Sequence, residues 1–207
     1  MDNLINYDEI VDIIPNNSRV LDLGSGDGYL LNKLIEEKNV SGVGIEINQD
    51  YAISAMQKGL SIIQGDIDEG LRQFGDNSFD FVILNRTLQS THKPEYVIEE
   101  MLRVGKKTLV SFPNFAHWKV RFYLLLKGKM PKSELLPYEW YNTPNIHLLT
   151  ISDFFDFCAR HNIKIEKEIY FTNGLQKSRR NGLFRANKHI ANFFSSDAIF
   201  VIQEKNK

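Results

Sequence analysis

Three glycines at alternate positions follow a short apolar stretch near the start of the chain. Residues 20–28 read Val-Leu-Asp-Leu-Gly-Ser-Gly-Asp-Gly, so that strand-forming residues end abruptly at Gly24, Gly26 and Gly28. Residues 29–35 then have the apolar spacing of a helix. Because glycine permits positive φ and lets a ligand lie against the backbone, this order predicts a nucleotide-binding turn. The alternative is a tight turn that holds no ligand.

Acidic residues around this loop indicate which ligand it would hold. The dinucleotide fingerprint G-x-G-x-x-G has its third glycine where this chain has Tyr29. Asp27 inside the loop and Asp22 at the strand end would repel a pyrophosphate and suit a cationic amino group. Glu46 stands twenty residues after Gly26, where such a unit places an acid that accepts hydrogen bonds from ribose hydroxyls. Together these features predict adenosine bearing an amino acid, and they disfavour an NAD-linked oxidoreductase.

Strands and helices alternate along the sequence, and this alternation must position the loop and Glu46. Strands are predicted over residues 19–23, 43–47, 60–64, 79–84, 107–112, 163–171 and 198–203. Helices are predicted over residues 4–14, 29–35, 49–58, 94–104, 115–127 and 151–160, with Gly59 as C-cap of the third and Ser152 as N-cap of the sixth. The sequence therefore predicts an α/β fold: a doubly wound, mostly parallel seven-stranded sheet with helices on both faces, binding ligands at the carboxyl ends of its strands.

Length and composition indicate one globular domain over residues 1–207, with an N-terminal helix in residues 1–17 and an insertion or cap segment over residues 113–150. Cys158 is the only cysteine, which excludes an internal disulfide and fits a reducing compartment. The sequence has no basic-then-apolar leader and no apolar run of the roughly 20 residues that cross a bilayer. We therefore expect a cytoplasmic protein without a membrane partner.

Charge is nearly balanced, because the formal net charge is −1, and this argues against a general polyanion binder. Residues 85–88 read Asn-Arg-Thr-Leu, which differs from the Asn-Pro-Pro-Tyr-like signature of enzymes that methylate base amino groups. We therefore expect no nucleic-acid partner. Local basic groups are either solvated faces or a patch that meets an acidic partner; they are Lys119, Arg121, Lys177, Arg179, Arg180 and Arg185.

A proline-stiffened aromatic segment covers residues 137–144, which read Pro-Tyr-Glu-Trp-Tyr-Asn-Thr-Pro. Tyrosine and tryptophan in such a loop are typical interface anchors, since they bury much area at small entropic cost. A lid over a small substrate and packing into the core are the other two interpretations. The sequence does not separate the three.

Catalytic residues are not indicated by the sequence. His92, His117 and His147 are candidate bases, but none has a carboxylate partner at a diagnostic spacing. Five scattered histidines and one cysteine predict no metal site, and no G-x-S-x-G elbow of a serine hydrolase occurs.

The loop over residues 22–28, Glu46 and residues 65–67 resemble the S-adenosylmethionine (SAM) site of class I methyltransferases. The segments that narrow this resemblance to the MetW family of methionine-biosynthesis proteins are residues 65–71, 84–89, 100–105, 111–118 and 136–147. The resemblance covers residues 18–165 approximately and does not extend to residues 172–188. The commoner form of the loop has cysteine in place of Ser25, so a small side chain is kept.

The resemblance implies that the cofactor is SAM or S-adenosylhomocysteine (SAH), bound by Asp22, Gly24, Ser25, Gly26, Gly28, Glu46, Ile47, Asp66, Ile67 and Asn85. The glycines would offer their backbone, Asp22 would hold the amino group through the loop, and Glu46 would take the ribose hydroxyls. Asp66 would accept a hydrogen bond from the adenine amino group, and Asn85 would reach the methionine end. Asp66 as a helix cap is the alternative, as is a core role for the two isoleucines.

The resemblance also implies a role beside the homoserine O-acyltransferase MetX, whose product enters methionine synthesis. The methyltransferase fold would then serve as a partner subunit that binds the adenosyl ligand. The alternative is an active SAM-dependent methyltransferase that acts on an unidentified small molecule.

Overall fold

The computed structural model describes residues 7–132, 138–172 and 188–205. Its strands are β1 Arg19–Leu23, β2 Ser41–Glu46, β3 Ile62–Gln64, β4 Phe79–Asn85, β5 Gly105–Pro113, β6 Ile163–Phe171 and β7 Asp197–Glu204. The α-helices of these described ranges are α1 Tyr7–Ile13, α2 Tyr29–Lys38, α3 Gln49–Gln57, α4 Pro94–Val104, α5 Trp118–Lys127, α6 Ile151–Arg160 and α7 Lys188–Phe194. Two short 3-10 turns cover Ile67–Glu69 and Leu88–Ser90.

The strands form a seven-stranded sheet in the order β3-β2-β1-β4-β5-β7-β6. All neighbouring pairs are parallel except those of β7, which is antiparallel to both β5 and β6. The predicted doubly wound, mostly parallel sheet is thus confirmed. Its strand order reverses between β1 and β4, and the carboxyl ends of strands at such a point form the crevice where open α/β sheets bind ligands.

The core lies in two layers because side chains alternate across each strand. One layer packs α4, α6 and α7 against alternate residues of the sheet, among them Leu21, Leu84 and Phe200. The other layer packs α1 and α2 against the intervening residues, such as Val20 and Ile83. The helices therefore cover both faces and leave the carboxyl edge of the sheet to the loops.

Several element boundaries differ from the predicted ones by one to three residues, and at two helices the structure shows the local cause. The N-cap of α6 is Thr150, not Ser152: the Thr150 hydroxyl accepts from the Asp153 amide, and the Asp153 carboxylate accepts from the Thr150 amide. This reciprocal capping box satisfies two orphan amides, which a cap two residues later would not do. Helix α5 begins at Trp118 rather than residue 115, because Asn114 and its neighbours form a turn after β5.

Several predictions fall on residues outside the described ranges. They concern residues 1–6 of the N-terminal helix, the start of the aromatic segment at Pro137, and the basic residues Lys177, Arg179, Arg180 and Arg185. Within the described ranges, no helix is long and apolar enough to span a membrane.

Candidate functional site

The glycine loop leaves β1 with its three glycines at φ of +68°, +56° and +78° for Gly24, Gly26 and Gly28. The backbone amides of Gly24 and Ser25 donate to Ile45 O at 2.8 and 3.1 Å, which ties the loop to β2. A Cβ on Gly24 or Gly28 would collide with Thr87 or Leu60, whereas a Cβ on Gly26 would meet no heavy atom within 4 Å. Side chains therefore pack against the loop at Gly24 and Gly28, whereas the space beside Gly26 is open.

Glu46 holds the centre of the loop from the end of β2. Its Oε2 accepts from the Gly26 amide and its Oε1 accepts from the Asn48 amide, both at 2.8 Å. The residue is 7% exposed. A carboxylate oxygen can accept more than one hydrogen bond, so these contacts orient Glu46 and leave acceptor capacity for hydroxyl groups above Gly26. The structure thus brings the two residues of the predicted spacing into direct contact.

Asp22 lies at the end of β1 and is 2% exposed. Burial raises the pKa of Asp22 to about 7, and the neighbouring Glu46 carboxylate adds to this rise. The Glu46 carboxylate accepts hydrogen bonds from two backbone amides, whereas the Asp22 carboxyl group accepts none within the described ranges. The site therefore contains one carboxyl group that two backbone amides hold in place and, beside it, one buried carboxyl group whose charged form a cationic ligand would favour.

Asp27 is exposed and forms an ion pair with Lys58 at the end of α3, with Lys58 Nζ 2.7 Å from Asp27 Oδ2. The hydrogen bond from Lys58 lowers the pKa of Asp27. The expected repulsion of a pyrophosphate by Asp27 is thus weakened, because its charge is balanced. The case against a dinucleotide depends instead on Tyr29, which starts α2 where the fingerprint has glycine, and on the buried acids Asp22 and Glu46.

The residues at the end of β4 lie beside the glycine loop and form the next part of the site. Asn85 Oδ1 accepts from the Ser111 hydroxyl of β5, so the side chain predicted to reach the ligand is anchored to the neighbouring strand. Arg86 follows at φ +55°, a conformation that non-glycine residues rarely adopt, and its guanidinium lies 3.3 Å from Asp197 Oδ1 on β7. Thr87 packs against Gly24. Strain of this kind concentrates at functional sites, and neither Arg86 nor Thr87 was indicated by the sequence.

The residues expected around adenine lie at the ends of β2 and β3. Asp66 caps the first 3-10 turn, with its Oδ1 accepting from the Asp68 amide at 2.8 Å, so the capping role considered for it is observed. Ile67 is buried in the core, whereas Ile47 is 64% exposed beside Glu46. An apolar side chain this exposed next to Glu46 suits a ring that would cover it. Contact of Asp66, Ile47 and Ile67 with adenine stays a prediction.

The three candidate histidines are separated by burial. His92 and His147 are exposed, and His117 is 1% exposed, with neither ring nitrogen hydrogen-bonded. Burial lowers the pKa of His117, which keeps its imidazole neutral. Glu95, Glu99 and His161 lie close together on the surface, but exposed groups of this kind are common without a metal. The absence of a metal site stays a prediction.

Solved structures with the same architecture include two SAM-dependent methyltransferases. The protein from Thermotoga maritima superposes with a TM-score of 0.65 at 17% identity, covering 98% of this chain and 88% of that chain. The protein from Methanosarcina mazei has a TM-score of 0.65 at 17% identity, covering 95% and 96%. At these identities the similarity shows the fold alone, which is that of class I SAM methyltransferases.

Sequence relatives identify the family. The bifunctional methionine biosynthesis protein MetXA/MetW of Rhodopirellula baltica is 36% identical over 181 residues, which cover 82% of this chain and 29% of the relative. The chain thus spans less than a third of the length of that relative. The sequence also matches the family described as methionine biosynthesis protein MetW over residues 5–202. Because this match covers nearly the whole chain, the chain belongs to the MetW family of methionine biosynthesis proteins.

Proposed function

We propose that this protein binds SAM or SAH at the carboxyl ends of β1 and β2 and acts with a homoserine O-acyltransferase in methionine biosynthesis. The observation that supports ligand binding is the open backbone at Gly26, held in place by the buried Glu46 carboxylate. A side-chain-free surface beside an oriented carboxylate suits a ribose that packs on the loop.

The described residues fit each part of an adenosyl amino acid. Glu46 would accept hydrogen bonds from the ribose hydroxyls, and the exposed Ile47 side chain would cover one face of adenine. Asp22 would compensate the ligand ammonium through the loop of Gly24, Ser25 and Gly26. Asp66 would use its remaining hydrogen-bonding capacity at the adenine end of the ligand, and Asn85 would do so at the methionine end. SAM, when bound, supplies an electrophilic methyl group; SAH supplies none.

The acyltransferase partnership is supported by the fused relative. In that protein the region similar to this chain belongs to a longer chain that carries both the MetXA and MetW names. Two activities joined in one chain in one organism are reasonable candidates for a complex of separate chains in another. In the described ranges, no imidazole of His92, His117 and His147 makes a hydrogen bond to a carboxylate, as that of an oriented general base would; His92 reaches Asp68 only through its backbone amide. This observation favours a ligand-binding subunit over an active methyltransferase.

Two measurements on the purified protein test this function. The homoserine O-acyltransferase of the same organism should co-purify with the chain, and its acyl-transfer rate should change when the chain and SAH or SAM are added. Turnover of methyl-labelled SAM against a metabolite extract tests the alternative. Product formation would make the chain a methyltransferase, whereas an acyltransferase that neither binds nor responds would contradict the partnership.

Glu46→Ala should weaken adenosyl-ligand binding by roughly 1–3 kcal/mol, because charge-assisted hydrogen bonds to the ribose are lost. The same change frees the Gly26 amide, so the loop also loses its anchor. Calorimetry with SAH measures the affinity. Glu36→Ala is the matched control, since it removes an equal charge from the exposed side of α2. Equal affinity of Glu46→Ala and the control would show that Glu46 does not hold the ribose.

A further inference from the structure

Helix α5 is apolar on two opposite faces, and the described residues cover only one of them. Val120 is 4% exposed and Leu124 is partly buried, so this side faces the protein. The other side carries Trp118, Phe122, Leu125 and Leu126, which are 36, 48, 77 and 75% exposed. A large apolar face of a helix is ordinarily buried, either in the protein's own core or against a partner.

The exposed residues form one continuous row, here named the α5 stripe: Trp118, Phe122, Leu125 and Leu126. Their spacing of four, seven and eight residues from Trp118 places them on one face of the helix. Trp118 and Phe122 also meet edge to face, with ring centroids 6.2 Å apart. Single exposed apolar residues need no explanation, but a contiguous row of large ones marks an interaction surface.

The charged residues of α5 and of the segment that follows it up to residue 132 are all basic. Residues 118–132 contain no acid, and Lys119, Lys127 and Lys129 are exposed beside the stripe. Arg121 donates to Ala116 O and lies over the Phe193 ring, whereas Lys119 lies over the ring of Trp118 in the stripe itself, 5.9 Å from its centroid. A second copy of this chain would bring equal charges face to face in a two-fold interface. The basic border favours instead a different surface that carries acids around an apolar groove.

The segment after α5 extends the same kind of surface. Tyr138, Trp140 and Tyr141 are 49, 73 and 70% exposed, and Glu139 between them pairs with Lys132 at 2.9 Å. This ion pair ties the aromatic segment to the chain that leaves α5. Tyrosine and tryptophan are enriched both at protein interfaces and at membrane surfaces, so these side chains do not by themselves separate the two kinds of partner. The fused relative, which carries both the MetXA and MetW names, favours a protein partner.

We infer that the α5 stripe is the docking surface for the homoserine O-acyltransferase, and that it inserts as a helix into an apolar groove bordered by acidic residues. This inference depends on the partnership in the proposed function and adds its location and chemistry. Helix α5 begins five residues after β5 ends, at the carboxyl edge of the sheet. A partner docked there would adjoin the strand ends at which the adenosyl ligand is proposed to bind.

The test measures the affinity of the purified acyltransferase for full-length variants of this chain. Phe122→Glu with Leu125→Glu should weaken binding by about 30-fold or more, as expected for central anchors of an interface. Lys119→Glu with Lys127→Glu should weaken it and reduce its dependence on salt. Ile53→Glu on α3 is the control, because Ile53 is an apolar helix residue of similar exposure, 44%, and its variant should bind like the wild type.

The outcomes separate this inference from the proposed function. If the wild-type chain does not bind the acyltransferase, the partnership fails and the inference fails with it. If the wild type and the Phe122→Glu, Leu125→Glu variant bind equally, the partnership stands and the docking surface is wrong. Circular dichroism and SAH affinity establish that each variant is folded. The inference would also be overturned if the Phe122→Glu, Leu125→Glu variant lost dimerisation in sedimentation, or lost binding to anionic vesicles, while it still bound the acyltransferase like the wild type. The stripe would then belong to a dimer interface or to a lipid surface.

Discussion

Gly26→Val should abolish adenosyl-ligand binding while the protein remains folded. The new side chain would enter the space above the loop, where a Cβ on Gly26 meets no heavy atom within 4 Å, and it would therefore displace the ligand rather than another part of the protein. We expect a loss of affinity of roughly 100-fold or more, equivalent to about 2.7 kcal/mol. Calorimetry with SAH and with SAM measures it. Gly26→Ala should give a smaller loss, because it fills less of the same space.

A valine at φ +56° is also strained, so the Gly26→Val experiment needs a control with equal strain. Gly128→Val provides it: Gly128 ends α5 at φ +60°, and a Cβ there likewise meets nothing within 4 Å. Both variants should lose a similar amount of stability, on the order of 1–2 kcal/mol. Only Gly26→Val should lose the ligand. Wild-type affinity in Gly26→Val, or equal losses in both variants, would contradict a ligand on this loop.

The loop and its partner acid were predictable because both follow from local rules. Gly24, Gly26 and Gly28 interrupt a strand-forming run, and a crossover of ordinary length brings the next strand end to the same edge of the sheet. The Gly26 amide donates a hydrogen bond to Glu46, so the two residues that stand twenty positions apart in the sequence are in contact in the fold. Near-continuous apolar runs likewise predicted buried parallel strands such as β1 and β4, because helices cover both faces of these strands.

Contacts between distant residues were not predictable in the same way. The Asp27–Lys58 pair joins residues 31 apart, and no periodic pattern marks which exposed lysine meets which acid. The positive φ of Arg86 depends on the Ser111 atoms that hold its amide, which only the packed sheet supplies. The capping box of α6 is different, because the spacing from Thr150 to Asp153 is a local signal that the sequence contains. The prediction of Ser152 as the N-cap did not use this signal.

The α5 stripe shows where composition alone misleads. Its leucines and aromatic residues belong to the 43% of the chain that is hydrophobic, a content ordinary for a globular protein. Apolar periodicity predicts which residues share a face, but it does not say whether the chain itself covers that face. The exposures of Leu125 and Leu126 show that, among the described residues, nothing covers this face.

The affinity for SAH should rise with pH through the range in which Asp22 loses its proton. Burial and the nearby Glu46 carboxylate raise the pKa of Asp22 to about 7, so at pH 6 the group is mostly neutral. A bound ammonium favours the charged form, and binding below pH 7 therefore releases a proton. We expect the affinity to increase by up to about tenfold per pH unit below 7 and to level off above it. Calorimetry in two buffers of different ionisation enthalpy measures the released proton directly.

The same shift makes a separate prediction for the stability of the ligand-free protein. The folded pKa is raised above the ordinary value of 3.8, so the folded state holds a proton that the unfolded state has released. The contribution of Asp22 to the free energy of unfolding should therefore fall as the pH rises from about 4 to about 7, by on the order of 4 kcal/mol at most, and then stay level. Asp22→Asn should remove this fall and raise the stability at pH 8.

Because an amide cannot balance the ligand ammonium, the Asp22→Asn variant should also bind SAH more weakly at pH 8, and its SAH affinity should not change with pH between 5.5 and 7. Asp50→Asn on the exposed first turn of α3 is the control and should keep both profiles. A wild-type affinity that does not change with pH, or an Asp22→Asn profile parallel to the wild type, would place the ammonium away from Asp22.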